Sequence, residues 1–154
     1  MDEYTLHVED DPPEEGMDVV EEGLQAYIAA HSKLVDLRLL AVLLRDANHR
    51  VVGGALGWTK RGWLELNVVW VREDLRGQGY GTRLVRAAEQ EAIARGCRAV
   101  YLSTLSFEAP GFYPKLGYEE IGRLEGYQDT RHHFQKRLEQ PLLESVSTPE
   151  ERRG

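Results

Sequence analysis

Apolar positions recur along this chain at two periods, and the period changes wherever turn-forming residues cluster. Thr5-Leu6-His7-Val8-Glu9 alternates weakly and predicts a first strand, broken by Pro12 and Pro13. Met17, Val20, Leu24, Tyr27 and Ile28 are spaced by threes and fours, the signature of one helix face. Asp36–Arg45, rich in Leu and Val, predicts a buried strand, and Asp46-Ala47-Asn48-His49 a hairpin turn. Strands follow over Val51–Thr59 and Trp63–Val71, joined by a tight turn at Lys60-Arg61-Gly62. Over Thr82–Arg95 the period returns to helical, with Leu84, Val85, Ala88, Ala92 and Ile93 on one side and Gly96 as the stop. A strand over Ala99–Leu105, a short turn of helix near Ala109–Leu116, and strands over Tyr118–Glu125 and His132–Leu138 complete the series. A meander followed by a βαβ unit places the chain among α+β or mixed-sheet α/β proteins.

Composition narrows this picture. A chain of 154 residues, 42% hydrophobic, is the size of one ordinary domain. Residues 1–139 are expected to form that domain. Residues 140–154, with Pro141, Pro149 and no apolar period, read as a frayed tail. The single Cys97 rules out an internal disulfide framework, and no Cys/His spacing suggests a metal site. No apolar run reaches the length of a membrane span, and the acidic start lacks a basic leader, so a cytoplasmic protein is expected. A net charge of -7 argues against nucleic acid as a partner. Ten acids and no Lys or Arg lie between Asp2 and Glu22. They read either as a solvated face or as an acidic rim over a substrate entrance.

The most informative stretch is Val69-Trp70-Val71-Arg72-Glu73-Asp74-Leu75-Arg76-Gly77-Gln78-Gly79-Tyr80-Gly81-Thr82. A strand ends, a polar turn follows, and a glycine-spaced loop opens a helix. Free N–H groups and the positive end of the helix dipole make such a junction an anion cradle. The dinucleotide fingerprint fits poorly, because Thr82 stands at its last glycine and no acid closes a second strand at the expected distance. A P-loop reading is equally weak, for want of a Gly-Lys-Ser/Thr triplet.

Arg76-x-x-Gly79-x-Gly81 resembles the Q/R-x-x-G-x-G/A signature of the GNAT superfamily of acyl-CoA-dependent N-acetyltransferases. Val69-x-Val71 resembles the end of that family's fourth strand. Phe112-Tyr113-Pro114-Lys115-Leu116-Gly117-Tyr118-Glu119 resembles its F-Y-x-K-x-G-F-E segment. The resemblance implies a strongly twisted mixed sheet, splayed between the family's fourth and fifth strands. It implies acetyl-CoA as co-substrate, with no metal. The coenzyme would be held by Val69, Val71, Arg76, Gly77, Gln78, Gly79, Tyr80, Gly81 and Thr82. Ser106 either holds the coenzyme arm or caps a helix.

Acetyl transfer to an amine requires loss of the amine proton, a polarised carbonyl and a proton donor for the leaving thiolate. By resemblance Tyr113 holds the position of the general acid, although Pro114 pushes the preceding residue away from helical angles and leaves its aim open. Glu65 is the base candidate, with ordered water as the alternative. A strict period of two puts Glu65, Asn67, Val69 and Val71 on one face and Trp63 and Trp70 on opposite faces. His132 and His133 should point opposite ways on a late edge strand, and Cys97 should be packing. The expected activity is acetyl transfer to a small-molecule amine. A protein lysine or N-terminal amine, or a non-catalytic acyl-CoA-binding module, stays open, as does a homodimer.

Overall fold

The computed structural model describes residues 3–31 and 36–139, so the tail expected over 140–154 lies outside the described residues. Two compact units are present, residues 1–35 and 36–154.

In the first unit the helical spacing is realised as α1, Glu14–His31. Glu14 and Glu15 occupy its first turn, where the helix dipole favours anions. His31 closes the last turn, its Nδ1 2.9 Å from the Tyr27 carbonyl and its ring stacked on Tyr27. The strand expected over Thr5–Glu9 does not form. These residues are irregular, and none of the described strands pairs with them. An isolated alternating run has no ladder to close, and weak alternation alone does not hold a strand.

The second unit is a six-stranded open sheet: β1 Arg38–Arg45, β2 Val51–Lys60, β3 Trp63–Val71, β4 Ala99–Leu105, β5 Glu119–Glu125 and β6 Thr130–Arg137. The order is β1-β2-β3-β4-β6-β5. Only β3 and β4 run parallel; the other neighbours are antiparallel. The parallel pair is the βαβ unit expected from sequence, and its crossover helix is α2, Tyr80–Ala94. Gly96, at φ 86°, ends α2. Its N–H reaches the Ile93 carbonyl, and the Cys97 N–H reaches Ala92. That double closure is the glycine-dependent helix stop.

Leu84, Val85, Ala88 and Ala92 of α2 pack against Leu40, Ala55, Leu64, Leu66, Val100, Leu102 and Phe134 of the sheet. Cys97 is buried with them, its thiol pushed up by desolvation, as expected for packing. β6 lies between β4 and β5, so the two histidines are on an interior strand and not an edge.

Candidate functional site

The site originates in a defect of the sheet. β3 pairs with β4 only over Trp63–Leu66, opposite Ala99–Leu102. Beyond that point the two strands separate, which is the splay expected between the family's fourth and fifth strands. The ladder between β2 and β3 slips at the same place: Gly57 faces Leu66, Leu56 faces Val68, and Asn67 is left over as a bulge. A bulge inserts one residue, so side-chain parity reverses across it. Leu64 and Leu66 before the bulge, and Val69 and Val71 after it, therefore all join the α2 side of the sheet.

Two expectations fail on this single residue. Glu65 does not share a face with Val69 and Val71, and Trp63 and Trp70 share a face instead of opposing one another. Both tryptophans are half-exposed on the side away from α2.

On the α2 side a cleft of about 400 Å³ lies between the end of β3, the glycine loop and the Tyr113 segment. Val69, Val71, Arg76, Gly77, Gly79, Tyr80, Gly81, Thr82 and Tyr113 all line it. Gly77 and Gly79 adopt φ of 75° and 87°, the left-handed region where a side chain is strained. Gly79 precedes α2 without a side-chain cap, and among the described residues no turn or loop bond engages the N–H groups of residues 79–82. The first-turn donors of α2 therefore face the cleft unpartnered. A Cβ on Gly81 would touch the Phe112 ring at 3.4 Å, so the helix start packs directly under that aromatic.

Three expected contacts turn elsewhere. Gln78 donates to the Asp74 carbonyl (3.1 Å), bracing the loop, and does not line the cleft. Arg76 lines the cleft, but its Nε is committed to the Val71 carbonyl at 2.9 Å, tying the loop to the end of β3. Ser106 is absent from the cleft wall: its Oγ donates to the Thr130 carbonyl (3.1 Å) and lies 2.9 Å from His132 Nε2. The 3₁₀ turn at Ser106–Glu108 has Leu105, not Ser106, at its N-cap. His132 is thereby satisfied, its Nδ1 3.3 Å from Glu120.

Tyr113 sits between two 3₁₀ turns, Pro110–Phe112 and Pro114–Leu116. It keeps helical angles, φ -70° and ψ -39°, despite the proline that follows. The reason is local: its carbonyl accepts the N–H groups of Leu116 and Tyr118, which fix the turn. Its ring packs on Phe112, Tyr118 and Phe134. Its hydroxyl makes no hydrogen bond among the described residues. Burial, reinforced by the nearby Glu108 carboxylate, pushes the phenol up to about 12, so it holds its proton at neutral pH.

The Tyr113 segment is anchored from below. Glu89, a buried carboxylate on α2, accepts from Tyr118 Oη (2.8 Å), Lys136 Nζ (3.1 Å) and Arg86 Nη1 (3.2 Å). Lys136 also donates to the Leu116 carbonyl (2.8 Å).

The cleft continues through the splay. A cavity of about 190 Å³ shares Val69, Glu108 and Tyr113 with it and reaches Asn67 and Ser103. A further cavity of about 330 Å³ opens on the opposite face, lined by Glu65, Asn67, Tyr101, Ser103, Glu108 and Arg131. Glu65 therefore belongs to the far end of the passage, not to the side of the glycine loop. Tyr101 Oη lies 2.6 Å from His133 Nδ1. Arg131 Nη1 donates to Ser103 Oγ (3.0 Å).

Glu108, Tyr101 and Arg131 escaped the sequence reading. Glu108 lies in an aperiodic stretch and is positioned by accepting the Leu105 N–H (2.9 Å). Tyr101 and Arg131 come together only through the β4–β6 register. No group of three or more potential metal ligands occurs among the described residues, and no helix among them is long and apolar enough to cross a membrane.

Residues 4–118 match the model of the acetyltransferase (GNAT) family. An acetyltransferase of Agrobacterium fabrum is 37% identical over 105 residues, 68% of this chain and 77% of its own length. The blasticidin-S acetyltransferase of Streptomyces morookaense is 36% identical over 78 residues, 50% of this chain and 57% of its own length. The crystal structure of an acetyltransferase from Agrobacterium tumefaciens aligns with a TM-score of 0.82 at 32% identity, covering 87% of this chain and 99% of that one.

Proposed function

The chain belongs to the GNAT acetyltransferase family, and from the geometry of its cleft we propose that it transfers an acetyl group from acetyl-CoA directly to the primary amine of a small molecule. The observation that carries this reading is Tyr113: an unbonded, protonated phenol that lines both the glycine-lined cleft and the passage to the far face. The residues present fit the coenzyme. Two left-handed glycines and an uncapped helix start offer backbone donors to a pyrophosphate. The free edge of β3 beyond Leu66 offers main-chain groups to an extended amide arm.

Within this frame each residue has one task. The cradle holds the anionic end of the coenzyme. Glu65, or water beside it, takes the proton that the amine loses. As the C–N bond forms and the C–S bond breaks, Tyr113 gives its proton to the departing sulfur and regains one from solvent. The blasticidin-S enzyme is named for a small-molecule acceptor, which favours that class here.

Thiol release from acetyl-CoA, measured across an amine and peptide panel, tests the reading. A small amine should drive release, and acetyl-CoA should raise the melting temperature, since a ligand at 100 times its Kd adds about 2.7 kcal/mol. A coenzyme-induced shift with no productive amine would make the protein a binding module. A peptide as the preferred acceptor would reassign the substrate class. An unchanged melting temperature would overturn the coenzyme site itself.

A further inference from the structure

Beyond the splay, the far-face cavity holds separated charges. Glu65 and Glu108 line it, and so does Arg131. Arg131 forms no ion pair with either acid or with any other described residue. Its one hydrogen bond, from Nη1 to Ser103 Oγ, fixes the guanidinium and leaves its remaining donors unused. Arg131 is exposed, so its guanidinium stands at the solvent-facing rim of this acid-lined cavity, a cation within reach of an entering anionic group in a chain of net charge -7.

Resting on the acetyl-transfer reading, we propose that Arg131 selects acceptors that carry a carboxylate as well as the reacting amine. The amine end lies in the passage shared by Glu108 and Tyr113, where an ammonium is attracted and the proton donor waits. The other end of the molecule extends to Arg131 on β6. A guanidinium fork matches a carboxylate in two parallel hydrogen bonds. A dianionic phosphate is disfavoured, because one cation faces two carboxylates in the same cavity. The acceptor is therefore of amino-acid type.

The test uses pairs that differ by one carboxylate: lysine and cadaverine, ornithine and putrescine, arginine and agmatine, tyrosine and tyramine. Thiol release gives kcat/KM for each with the full chain. The carboxylated member of any pair that reacts should be preferred by about tenfold to a hundredfold, the range of a charge-assisted hydrogen-bond pair. In Arg131→Gln that ratio should fall to about one, and Arg131→Lys, keeping charge without the fork, should retain part of it. The acetyl-CoA thermal shift of each variant shows that it is folded. Equal use of both members, or a preference that survives Arg131→Gln, would overturn the inference and leave the amine reading standing. A preference for phosphorylated amines would overturn it as well. Reaction with no member of any pair, against release with peptides, would remove the small-amine reading and this inference with it.

Discussion

The two halves of β3 share one strand but meet opposite fates. Over Trp63–Leu66 the strand is paired on both sides, to β2 and to β4, and Leu64 and Leu66 are buried in the core. Over Val68–Val71, past the bulge at Asn67, it is paired on one side only, and Val69 and Val71 face a cleft. The first half is a structural element. The second is an open edge, held in place by β2 alone, and the one proposed to take the coenzyme. One bulge residue marks the change, and it also reverses which side chains look into which cavity. A functional opening here needs no separate loop; it follows from stopping a parallel ladder early.

The largest effect expected at this boundary is on turnover. Glu65→Gln, in the paired half and at the far mouth, should lower kcat at neutral pH by about 10²–10⁴-fold if its carboxylate is the base. Acetyl-CoA affinity should stay nearly intact, because Glu65 does not line the cleft proposed for the coenzyme. Survival of the acidic limb of the pH–rate profile in this variant would assign the base to water.

Next is the cradle beside the open half. Gly79→Asp forces a side chain into φ 87° and sets a negative charge against the anion site. Titration calorimetry should show acetyl-CoA binding weakened by roughly a hundredfold, the scale of two lost charge-assisted bonds. An unchanged Kd would place the pyrophosphate elsewhere.

The smallest effect concerns the bulge itself. A Cβ on Gly57 would collide with the Glu65 carbonyl, so Gly57→Ala presses on the backbone at the register shift. Denaturant unfolding should show a loss of about 1–3 kcal/mol, as for overpacking elsewhere. Acetyl-CoA affinity should fall as well, since the same shift orients Val69 and Val71. Loss of stability with no loss of affinity would separate the bulge from the cleft.

Much of this was legible in the sequence, and the failures have definite causes. The glycine loop and α2 with its Gly96 stop follow from local chemistry, unpartnered donors and helical period, whereas Tyr113 was singled out by the resemblance of its segment to the family's. The bulge at Asn67 was not legible, because nothing in β3 itself marks it. It becomes visible only when Gly57 is laid opposite on β2. Gln78 and Ser106 carry suitable chemistry at suitable spacing, yet their side chains are taken up by Asp74 and Thr130. Tyr101 and Arg131 are joined by strand register, and Glu108 is set by its bond from the Leu105 N–H, not by any motif. A pattern read along one strand identifies its residues, but which face they occupy is set by the neighbour.

The steady-state kcat of Tyr113→Phe tests the central claim most directly, that a phenol held at the splay protonates the departing thiolate. Phenylalanine keeps the ring and its packing on Phe112, Tyr118 and Phe134. Its removal of one hydroxyl acts on a group that is protonated throughout the working range, because burial has pushed it up to about 12. The interaction is stronger in the transition state than with the thioester, so the loss should appear in kcat. The account predicts a folded protein with acetyl-CoA affinity close to that of the wild type and kcat reduced by roughly one to three orders of magnitude. A variant that binds acetyl-CoA and turns over a good amine at the wild-type rate would contradict it.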